Sequence, residues 1–330
     1  MDIPKTLLEA IKYFSDEQVC IDAVAMMRWP NGAVCPECWA GEPYYLKTAK
    51  RWKCRNCRIQ FSVKRGTIFE DSPISLTKWL PAMWLLVNCK NGISSYELAK
   101  DLGVTQKSAW FILHRLRLVV KAPNSNSKLG SNDGGEVEVD ESFVGGKLKN
   151  MHRKRANALN KVKQGSGSET RVLHENKAIV LGMLDRESRQ VRAQVVPNVK
   201  RETLQNEILK NVKYGSSIYT DQAVAYDTLH RRYIHETVNH VTQYVNGRVH
   251  TNGLENFWSL MKRNLSGTYV AVEPFHLDRY LDEQMFRFNN RATKDNPLDD
   301  SDRFLLALSQ VANKRLTFAE LTGKTERQAF

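Results

Sequence analysis

Three acidic residues of this chain lie in segments from which a two-metal site could be assembled. Asp140 lies in the run 136–144, where polar and apolar residues alternate, so a strand with its carboxylates on one face is predicted. Asp221 ends a second strand-like run, and Glu255 lies at the start of a helical stretch. Carboxylates from separate elements can bind two Mg²⁺ ions about 3.5–4 Å apart, and such a pair stabilises the attacking and leaving oxygens of a phosphodiester exchange.

Basic side chains follow Glu255 on its predicted helix. Lys262 lies seven residues, or about two helical turns, after Glu255 and therefore on the same helix face, where it and Arg263 would hold a DNA phosphate. As an alternative, Glu255 closes a capping box with Asn252, three residues upstream. Both interpretations can hold together, because a helix N-terminus favours the ionised carboxylate that a metal requires.

Each acidic residue taken alone has a simpler interpretation, a solvated carboxylate at the end of a strand. The order along the chain favours a shared site: a strand Asp, a strand-end Asp, a helical Glu and then a base. Asp185 competes for a metal role, but its position at the end of a predicted strand, just before a short turn, favours a hairpin residue. His250 and Asn252 lie in the same block as Glu255 and would contact the flanking DNA strand or support Glu255, and for the histidine a structural role is favoured.

The N-terminal third contains two C-x-x-C pairs separated by fifteen residues, a spacing typical of a structural zinc site. The four cysteines are Cys35, Cys38, Cys54 and Cys57. Two disulfides are the alternative, but the sequence shows no signal peptide, and Cys20 and Cys89 have no such partner, which favours a reducing compartment. A zinc ribbon is therefore predicted, with aromatic and basic residues such as Trp39, Arg55 and Arg58 interleaved through it, and it would contact either DNA or protein.

The composition indicates a nucleic-acid partner. The chain has 330 residues and a formal net charge of +13, with a pI near 9.4. A strongly basic protein has a large sequence-independent affinity for DNA or RNA, because phosphate binding is mostly charge neutralisation with release of counterions. The alternative is a basic protein without that role. No membrane association is expected, since the longest apolar run, around 79–87, is far shorter than the roughly 20 residues of a span.

A second candidate for DNA recognition follows the ribbon. The segment 75–88 is predicted to be a helix, and 94–103 a shorter one with a capped start and a C-terminal glycine. A third begins after Thr105, which gives a helix-turn-helix whose last helix would enter the major groove. Gln106 and Lys107 open that helix and would contact bases or phosphates. An ordinary pair of packed helices is the alternative, since the last helix also carries core-like residues.

Two further segments differ in composition from their surroundings. Residues 122–135 are rich in Pro, Asn, Ser and Gly and are predicted to be an interdomain linker. Residues 147–176 form a basic insertion, predicted to be mobile, that includes Arg153, Lys154 and Arg155. The insertion directly follows the first strand of the acidic set, so it would wrap a DNA backbone. A solvated surface loop is an alternative with equal support.

The order of the predicted elements indicates a multi-domain α/β protein. Three antiparallel strands followed by helix, strand, helix, strand and helix is the ribonuclease H-like order, with the first Asp on the first strand and the Glu on a late helix. We therefore predict a ribonuclease H-like catalytic core preceded by a zinc ribbon and a helix-turn-helix. The predicted divisions are a helical leader (1–30), the ribbon (31–70), the helix-turn-helix (71–121), the linker (122–135), the catalytic domain (136–295) and a helical tail (296–330).

These segments resemble the bacterial insertion-sequence transposases that combine a zinc ribbon with a DDE core, the ISXO-type group related to the Merlin-type superfamily. The resemblance rests on the paired cysteine knuckles, the Val-Glu-Val-Asp-Glu-Ser-Phe-Val-Gly-Gly block that starts at Val137, Tyr219-Thr-Asp221, and the His-x-Asn-x-x-Glu-x-x-Trp-x-x-x-Lys block that starts at His250. It covers about residues 20 to 290. Some members of the group have Asn or His at the third acidic position, whereas this chain has Glu255.

The resemblance implies DNA transposition by Mg²⁺-dependent strand cleavage and strand transfer, with Mn²⁺ as a substitute ion. Asp140 would bridge two ions, Asp221 would hold one and Glu255 the other, and Lys262 would position a terminal phosphate. A water would cleave the transposon end, and the freed 3′-OH would attack target DNA without a covalent protein–DNA intermediate. The implied partners are double-stranded DNA, as terminal inverted repeats and target, and a second copy in the synaptic complex. The implied location is the bacterial cytoplasm, at the nucleoid.

Two other functions compete with this interpretation. Another ribonuclease H-like nuclease, acting on Holliday junctions or RNA–DNA hybrids, would share the acidic triad but rarely carries a zinc ribbon and helix-turn-helix ahead of it. A non-enzymatic DNA-binding regulator would keep the ribbon, the helix-turn-helix and the basic charge. That second alternative gives no account of three acidic residues placed in the order of the fold.

Overall fold

The protein divides into two compact units. The computed structural model describes residues 3–121, 127–145, 177–238, 249–294 and 296–324. The first unit combines Met1–Ala122 with Asp282–Phe330, and the second is Pro123–Leu281. The predicted leader, ribbon, helix-turn-helix and tail all fall in the first unit. Along the described ranges, no helix has the length and apolar character needed to cross a bilayer.

The first unit surrounds a small antiparallel sheet with helices. Its helices are α1 (Leu7–Tyr13), α2 (Glu17–Arg28), α3 (Leu76–Asn88), α4 (Ser95–Leu102), α5 (Gln106–Val119), α9 (Asp300–Ser309) and α10 (Phe318–Leu321). Its strands are β1 (Tyr44–Leu46), β2 (Arg51–Lys53) and β3 (Gln60–Phe61), in the order β1-β2-β3. The sheet and the two cysteine pairs around it form the predicted ribbon.

Local signals in the sequence set the ends of α4 and α5. Ser94 and Glu97 form a reciprocal capping box at the start of α4, and Gly103 ends that helix in the left-handed region with φ 59°. The Thr105 side chain accepts a hydrogen bond from the Ser108 amide and so caps α5. The two predicted helix ranges are confirmed, and the turn that joins the helices is three residues long.

The C-terminal residues complete the core of the first unit. Phe304 of α9 packs against Phe14 and Trp84, with ring centroids 5.2 and 5.5 Å apart. The Ile68 amide donates to the Val311 carbonyl at 3.0 Å, which ties the end of the chain to the ribbon. The segment predicted as a helical tail is thus a structural part of this unit. Its apolar residues are buried among residues far away in the sequence, which periodicity alone does not reveal.

The second unit is built on a five-stranded mixed sheet. Its elements are β4 (Glu136–Val144), β5 (Ala178–Asp185), β6 (Val191–Val196), α6 (Arg201–Asn211), β7 (Ser217–Asp221), β8 (Ile234–Val238) and α7 (Asn252–Asn264), followed by α8 (Leu277–Asn289), which contains the division between the units. The strand order is β6-β5-β4-β7-β8. Strands β6, β5 and β4 are antiparallel, whereas β7 runs parallel to both β4 and β8.

Alternation along β4 separates the two faces of this sheet. Val137 and Val139 are buried in a core cluster with Leu204 and Ile208 of α6. The alternate residues Glu138 and Asp140 point to the opposite face, where α7 packs on β4 and β5. Between β7 and β8 the chain forms two 3₁₀ turns, Val224–Tyr226 and Leu229–Arg231, where an α-helix is expected. The stretch is too short and too polar to bury a helical stripe.

Part of the predicted linker belongs to the second unit. Leu129 is only 5% exposed and lies in the core cluster around α6. Its amide donates to the Asn211 carbonyl at 2.8 Å, and its carbonyl accepts from the Lys213 amide at 2.9 Å. A single leucine in a polar, glycine-rich stretch gives no periodic signal, yet burying it anchors the backbone around it. Residues 127–135 are therefore a packed entry to β4 rather than a free linker.

Candidate functional site

The central strand β4 carries Asp140 next to the strand that ends in Asp221. The parallel pairing of β4 and β7 runs from Glu136 opposite Ser217 to Glu138 opposite Tyr219. Continuing this register by two residues brings Asp140 beside Asp221, on the same face of the sheet, because paired residues of parallel strands point the same way. One Asp221 carboxylate oxygen accepts the Ala223 amide at 3.1 Å, which fixes the turn after β7.

The three acidic residues of the predicted triad share one electrostatic environment. Burial raises the pKa of Asp140 above its usual value, and the charges of Asp221 and Glu255 raise it further. Hydrogen bonds from the Trp258 indole and a backbone amide oppose that shift. The carboxylates of Asp221 on β7 and Glu255 on α7 therefore both act on Asp140 of β4, and a cation beside Asp140 would offset their effect on its pKa.

The indole of Trp258 joins α7 to Asp140. Its Nε1 donates to Asp140 Oδ2 at 2.9 Å. Gly182 lies directly opposite Asp140 on β5, and a Cβ there would come within 2.5 Å of the Trp258 ring. A side chain at this strand position would push the ring away, so the glycine allows α7 to approach the sheet. Trp258 is one turn after Glu255, so this contact also sets how α7 presents that residue.

A buried carboxylate from β4 caps the start of α7. Glu138 is only 1% exposed, and its Oε2 accepts the Leu254 amide at 2.9 Å. The predicted capping box between Asn252 and Glu255 is wrong: the N-cap residue is Thr251, whose side chain makes no capping bond. The Leu254 amide of the first turn is thus satisfied from a neighbouring strand, and Glu255 is exposed to solvent.

Arg186 links this cap to the segment before α7. Its Nε donates to Glu138 Oε1 at 2.8 Å, and its guanidinium lies 4.5 Å from the centroid of the Tyr219 ring. Its Nη2 donates to the carbonyl of His250 at 2.6 Å and to Nδ1 of the same residue at 2.8 Å. This agrees with the structural role favoured for His250, whereas Asn252 is exposed.

Asp185 is a hairpin residue, as its position in the sequence favours. One of its carboxylate oxygens accepts the Gly130 amide at 3.0 Å, and the other accepts the amides of Glu187 and Ser188 at 3.0 and 3.2 Å. The side chain therefore satisfies the backbone of the β5–β6 turn and of the entry to β4. These bonds occupy both oxygens, which leaves the residue poorly suited to bind a metal.

The four cysteines of the ribbon form the only group of three or more His, Cys, Asp or Glu residues, within the described ranges, whose ligand atoms all lie within 4.8 Å of one another. The Sγ atoms of Cys35 and Cys57 are 3.6 Å apart, and those of Cys38 and Cys54 are 3.5 Å apart. A tetrahedral zinc with Zn–S bonds of about 2.3 Å requires Sγ separations of roughly 3.8 Å, so the cluster fits zinc. The Ala40 amide, with the neighbouring thiols, lowers the pKa of Cys38 to about 6, although burial opposes that shift.

The carboxylates of the second unit have a different character. They are hard oxygen donors, which suit Mg²⁺, and they are not gathered as tightly as the cysteines. The donor chemistry of these carboxylates therefore suits Mg²⁺.

Comparisons with known proteins assign the chain to a family. A model described as the ISXO2-like transposase domain matches residues 133–289, and a model of the transposase zinc-ribbon domain matches residues 15–60. An "uncharacterized transposase-like protein" of Haemophilus influenzae is 38% identical over 101 residues, which is 30% of this chain and 81% of that protein. The chain belongs to the insertion-sequence transposase family.

Other similarities of this transposase are more distant. An "uncharacterized protein in transposable element ISH50" of Halobacterium salinarum is 28% identical over 280 residues, covering 82% of this chain and 90% of that protein. Among solved structures, a chain of the simian T-cell lymphotropic virus intasome, determined in complex with PP2A regulatory subunit B56 gamma, matches 68% of this chain and 74% of its own length. Its identity is 14% and its TM-score 0.30, a score too low to establish a shared overall fold.

The basic residues predicted to bind DNA lie in three places in this transposase. Lys262 and Arg263 are exposed on α7, and Lys262 follows Glu255 by about two turns on the same helix face. In α5, Gln106 Nε2 donates to Ser95 Oγ at 2.9 Å, and Lys107 Nζ lies 4.6 Å from the centroid of the Phe318 ring. Both α5 side chains therefore already have partners within the first unit. The predicted insertion contacts Arg153, Lys154 and Arg155 lie outside the described residues.

Two acidic residues of the Val-Glu-Val-Asp-Glu block, Glu138 and Glu141, have no role predicted from the sequence. Glu138 is the helix cap described above. Glu141 accepts a hydrogen bond from the buried Tyr226 hydroxyl, and burial, opposed by this bond, raises the pKa of Glu141 to about 7, with Asp221 and Asp140 adding to the increase. The alternation of β4 shows that the two residues face opposite sides, but only the packing shows what each one contacts.

Proposed function

We propose that this protein is a DNA transposase that cuts and joins strands at the terminal inverted repeats of its own element. Asp140, Asp221 and Glu255 would act as the ligands of two Mg²⁺ ions. The observation that carries the proposal is the geometry around Asp140: the β4–β7 register continues to Asp221, and Trp258, one turn after Glu255 on α7, donates to Asp140 at 2.9 Å. Family membership supports the same reaction class.

A ribonuclease H-like core is the architecture that best accounts for this site. Three antiparallel strands are followed by two parallel ones, in the order β6-β5-β4-β7-β8, with the first acidic residue on the central strand. The second acidic residue ends the neighbouring strand, and the third lies on a helix that packs on the same sheet face. In such a core, Asp140, Asp221 and Glu255 would converge from three separate elements.

Each residue of the proposed site has a separate task. When bound, the Mg²⁺ ions would supply Lewis acidity for water activation and for stabilising the phosphorane-like transition state. Trp258 would orient the Asp140 carboxylate toward a cation by donating to its Oδ2. The exposed Glu255 completes the ligand set, and Lys262 holds a backbone phosphate near the reacting bond. No side chain is needed as a covalent nucleophile.

We assign DNA recognition to the first unit and to the basic insertion. Helix α5, as the second helix of a helix-turn-helix, would enter the major groove of the terminal repeat with Gln106 and Lys107 at its N-terminus. Arg153, Lys154 and Arg155 would add phosphate contacts. Zinc would hold the ribbon together, and at least two copies would pair the transposon ends. Such a protein would work at the nucleoid in the bacterial cytoplasm.

Strand cleavage by the full-length protein tests the proposal. Labelled duplexes carrying the element's inverted repeat are compared with random duplex in Mg²⁺ and in EDTA. Asp140→Asn, Asp221→Asn and Glu255→Gln should each abolish cleavage and joining while DNA affinity is retained, since each removes a metal ligand and no basic contact. Glu187→Gln, at an exposed acid in the β5–β6 turn, is the matched control and should remain active.

The outcomes distinguish the three candidate functions. Full cleavage in Mg²⁺ by any triad variant would refute that residue's assignment. Cleavage of an RNA–DNA hybrid or a Holliday junction in preference to the inverted repeat would favour a different ribonuclease H-like nuclease. Specific binding without cleavage under any divalent ion would favour a regulator.

A further inference from the structure

The two cysteine knuckles of the ribbon present equivalent residues to solvent. Trp39 directly follows Cys38, and Arg58 directly follows Cys57. Both adopt left-handed backbone conformations, with φ 58° and 62°. The knuckles share the same closing bond, from the Cys35 amide to the Ala40 carbonyl in one and from the Cys54 amide to the Ile59 carbonyl in the other. The turn geometry therefore forces the residue after each second cysteine outward.

The ribbon does not need the Trp39 side chain for its own packing. Trp39 is 77% exposed. The aromatic core of the ribbon is built by other residues, with Trp52 packed against Trp29 and Phe61 at ring-centroid distances of 5.2 and 6.3 Å. Glycine or asparagine is the usual choice at a left-handed position, because a bulky side chain is strained there. A large exposed aromatic at such a site is best explained by an external contact.

The ribbon that carries this aromatic is strongly basic. Arg55 lies inside the second knuckle, between Cys54 and Cys57, and Arg58 directly follows that knuckle. Arg55 and Arg58 are both exposed. The ribbon segment 31–70 carries eight Lys or Arg residues against three Asp or Glu residues. A flat, exposed aromatic on a basic ribbon with exposed arginines complements a nucleobase with its phosphates better than it complements a protein surface.

We propose that the knuckle surface, formed by Trp39, Arg55 and Arg58, binds unpaired nucleotides of DNA. The Trp39 indole stacks on an exposed base, and the arginines pair with the adjoining phosphates. A blunt duplex offers no unpaired nucleotide, because each of its bases is paired and stacked on its neighbours. The inference rests on the proposed DNA function, since cutting transposon ends exposes unpaired nucleotides. Under this proposal the ribbon binds DNA ends, whereas α5 recognises the base sequence of the duplex.

Binding of full-length, zinc-loaded protein to two labelled DNAs tests the surface. The probes are a blunt duplex and the same duplex with a three-nucleotide single-stranded overhang, measured by fluorescence anisotropy without Mg²⁺. Trp39→Ala should lose roughly tenfold in affinity for the overhang probe, since stacking on one base contributes that much or more, and little for the blunt probe. Trp39→Phe should retain most of the overhang preference. Tyr214→Ala, at another aromatic that is 70% exposed, is the matched control and should bind both probes normally.

Charge and fold are tested separately. Arg58→Ala should weaken binding to both probes and reduce the slope of log affinity against log salt by about one. Zinc content measured by mass spectrometry confirms that each variant keeps its ribbon. Unchanged overhang preference in a zinc-loaded Trp39→Ala protein overturns the proposal, and loss of a protein partner without any DNA effect would assign the surface to protein contacts. Cleavage by this variant reports on the proposed function independently, so the two can fail separately.

Discussion

Replacing Glu138 by glutamine should loosen α7 where it begins, next to Glu255. The side chain is 1% exposed, so solvent screens its contacts little. It accepts two hydrogen bonds, from Arg186 Nε at 2.8 Å and from the Leu254 amide at 2.9 Å. A glutamine keeps the shape but has one acceptor oxygen and no charge, so one donor is left without a partner.

The expected loss of folding stability follows from these contacts. Hydrogen bonds that involve a charged group contribute about 1.5–3 kcal/mol each, and breaking a buried ion pair costs about 3–5 kcal/mol. With the shape conserved, the free energy of unfolding of the second unit should fall by about 2–4 kcal/mol. A loss of 1 kcal/mol shifts the melting temperature of a unit of this size by about 2–4 °C, so the total shift should be roughly 4–16 °C.

Glu136→Gln is a matched control on the same strand and the same face. Glu136 Oε2 lies 3.2 Å from Arg186 Nη1, but the Glu136 side chain is 22% exposed, against 1% for Glu138. The Glu136→Gln change should lower the free energy of unfolding by no more than about 1 kcal/mol. Differential scanning calorimetry of the full-length proteins measures both changes.

The rate of strand cleavage distinguishes a positioning role of Glu138 from a purely structural one. At a temperature where both variants are folded, Glu138→Gln should cleave about 10–100-fold more slowly, because a displacement of about 1 Å at a reacting site can cost that much. It should also need more Mg²⁺ for half-maximal rate, since Glu255 is a proposed ligand. Equal melting temperatures and equal Mg²⁺ requirements for Glu138→Gln and Glu136→Gln would refute the reasoning.

Three further predictions follow from the packing. Gly182→Ala should displace Trp258 and reduce cleavage at least tenfold with DNA affinity unchanged, because its Cβ would lie 2.5 Å from the ring; normal activity with an unshifted tryptophan spectrum would contradict this. Cys57→Ser should release one zinc per chain and unfold the ribbon, since a structural zinc contributes folding energy directly; an unchanged zinc content by mass spectrometry would exclude the site. Gln106→Ala with Lys107→Ala should lower the ratio of specific to random DNA affinity by about 1–3 kcal/mol per lost base contact, whereas neutralising Arg153, Lys154 and Arg155 should weaken both DNAs alike. A preserved ratio would move sequence recognition away from α5.

The strongest agreements between sequence and structure concern features encoded over short stretches. The alternation in 136–144 predicts strand β4, and the observed strand is Glu136–Val144. The Ser94 capping signal and Gly103 predict the two ends of α4. The spacing of the cysteine pairs predicts a four-thiol cluster, which the structure brings within 4.8 Å. In each case the physical cause, a hydrogen-bonding cap, a pleat or a short knuckle, lies within a few residues.

The sequence by itself thus determined the zinc ribbon, most of the helices and strands, and the types of side chain available to the candidate site. Only the tertiary structure decided that Glu138 caps a helix 116 residues away and that Trp258 bonds Asp140 from 118 residues away. It also decided that Leu129 and Phe304 belong to cores far from their own segments. Periodicity and capping record the preferences of neighbouring residues, whereas burial and charge pairing depend on which distant segments pack together, and a single sequence carries no local signal of that choice.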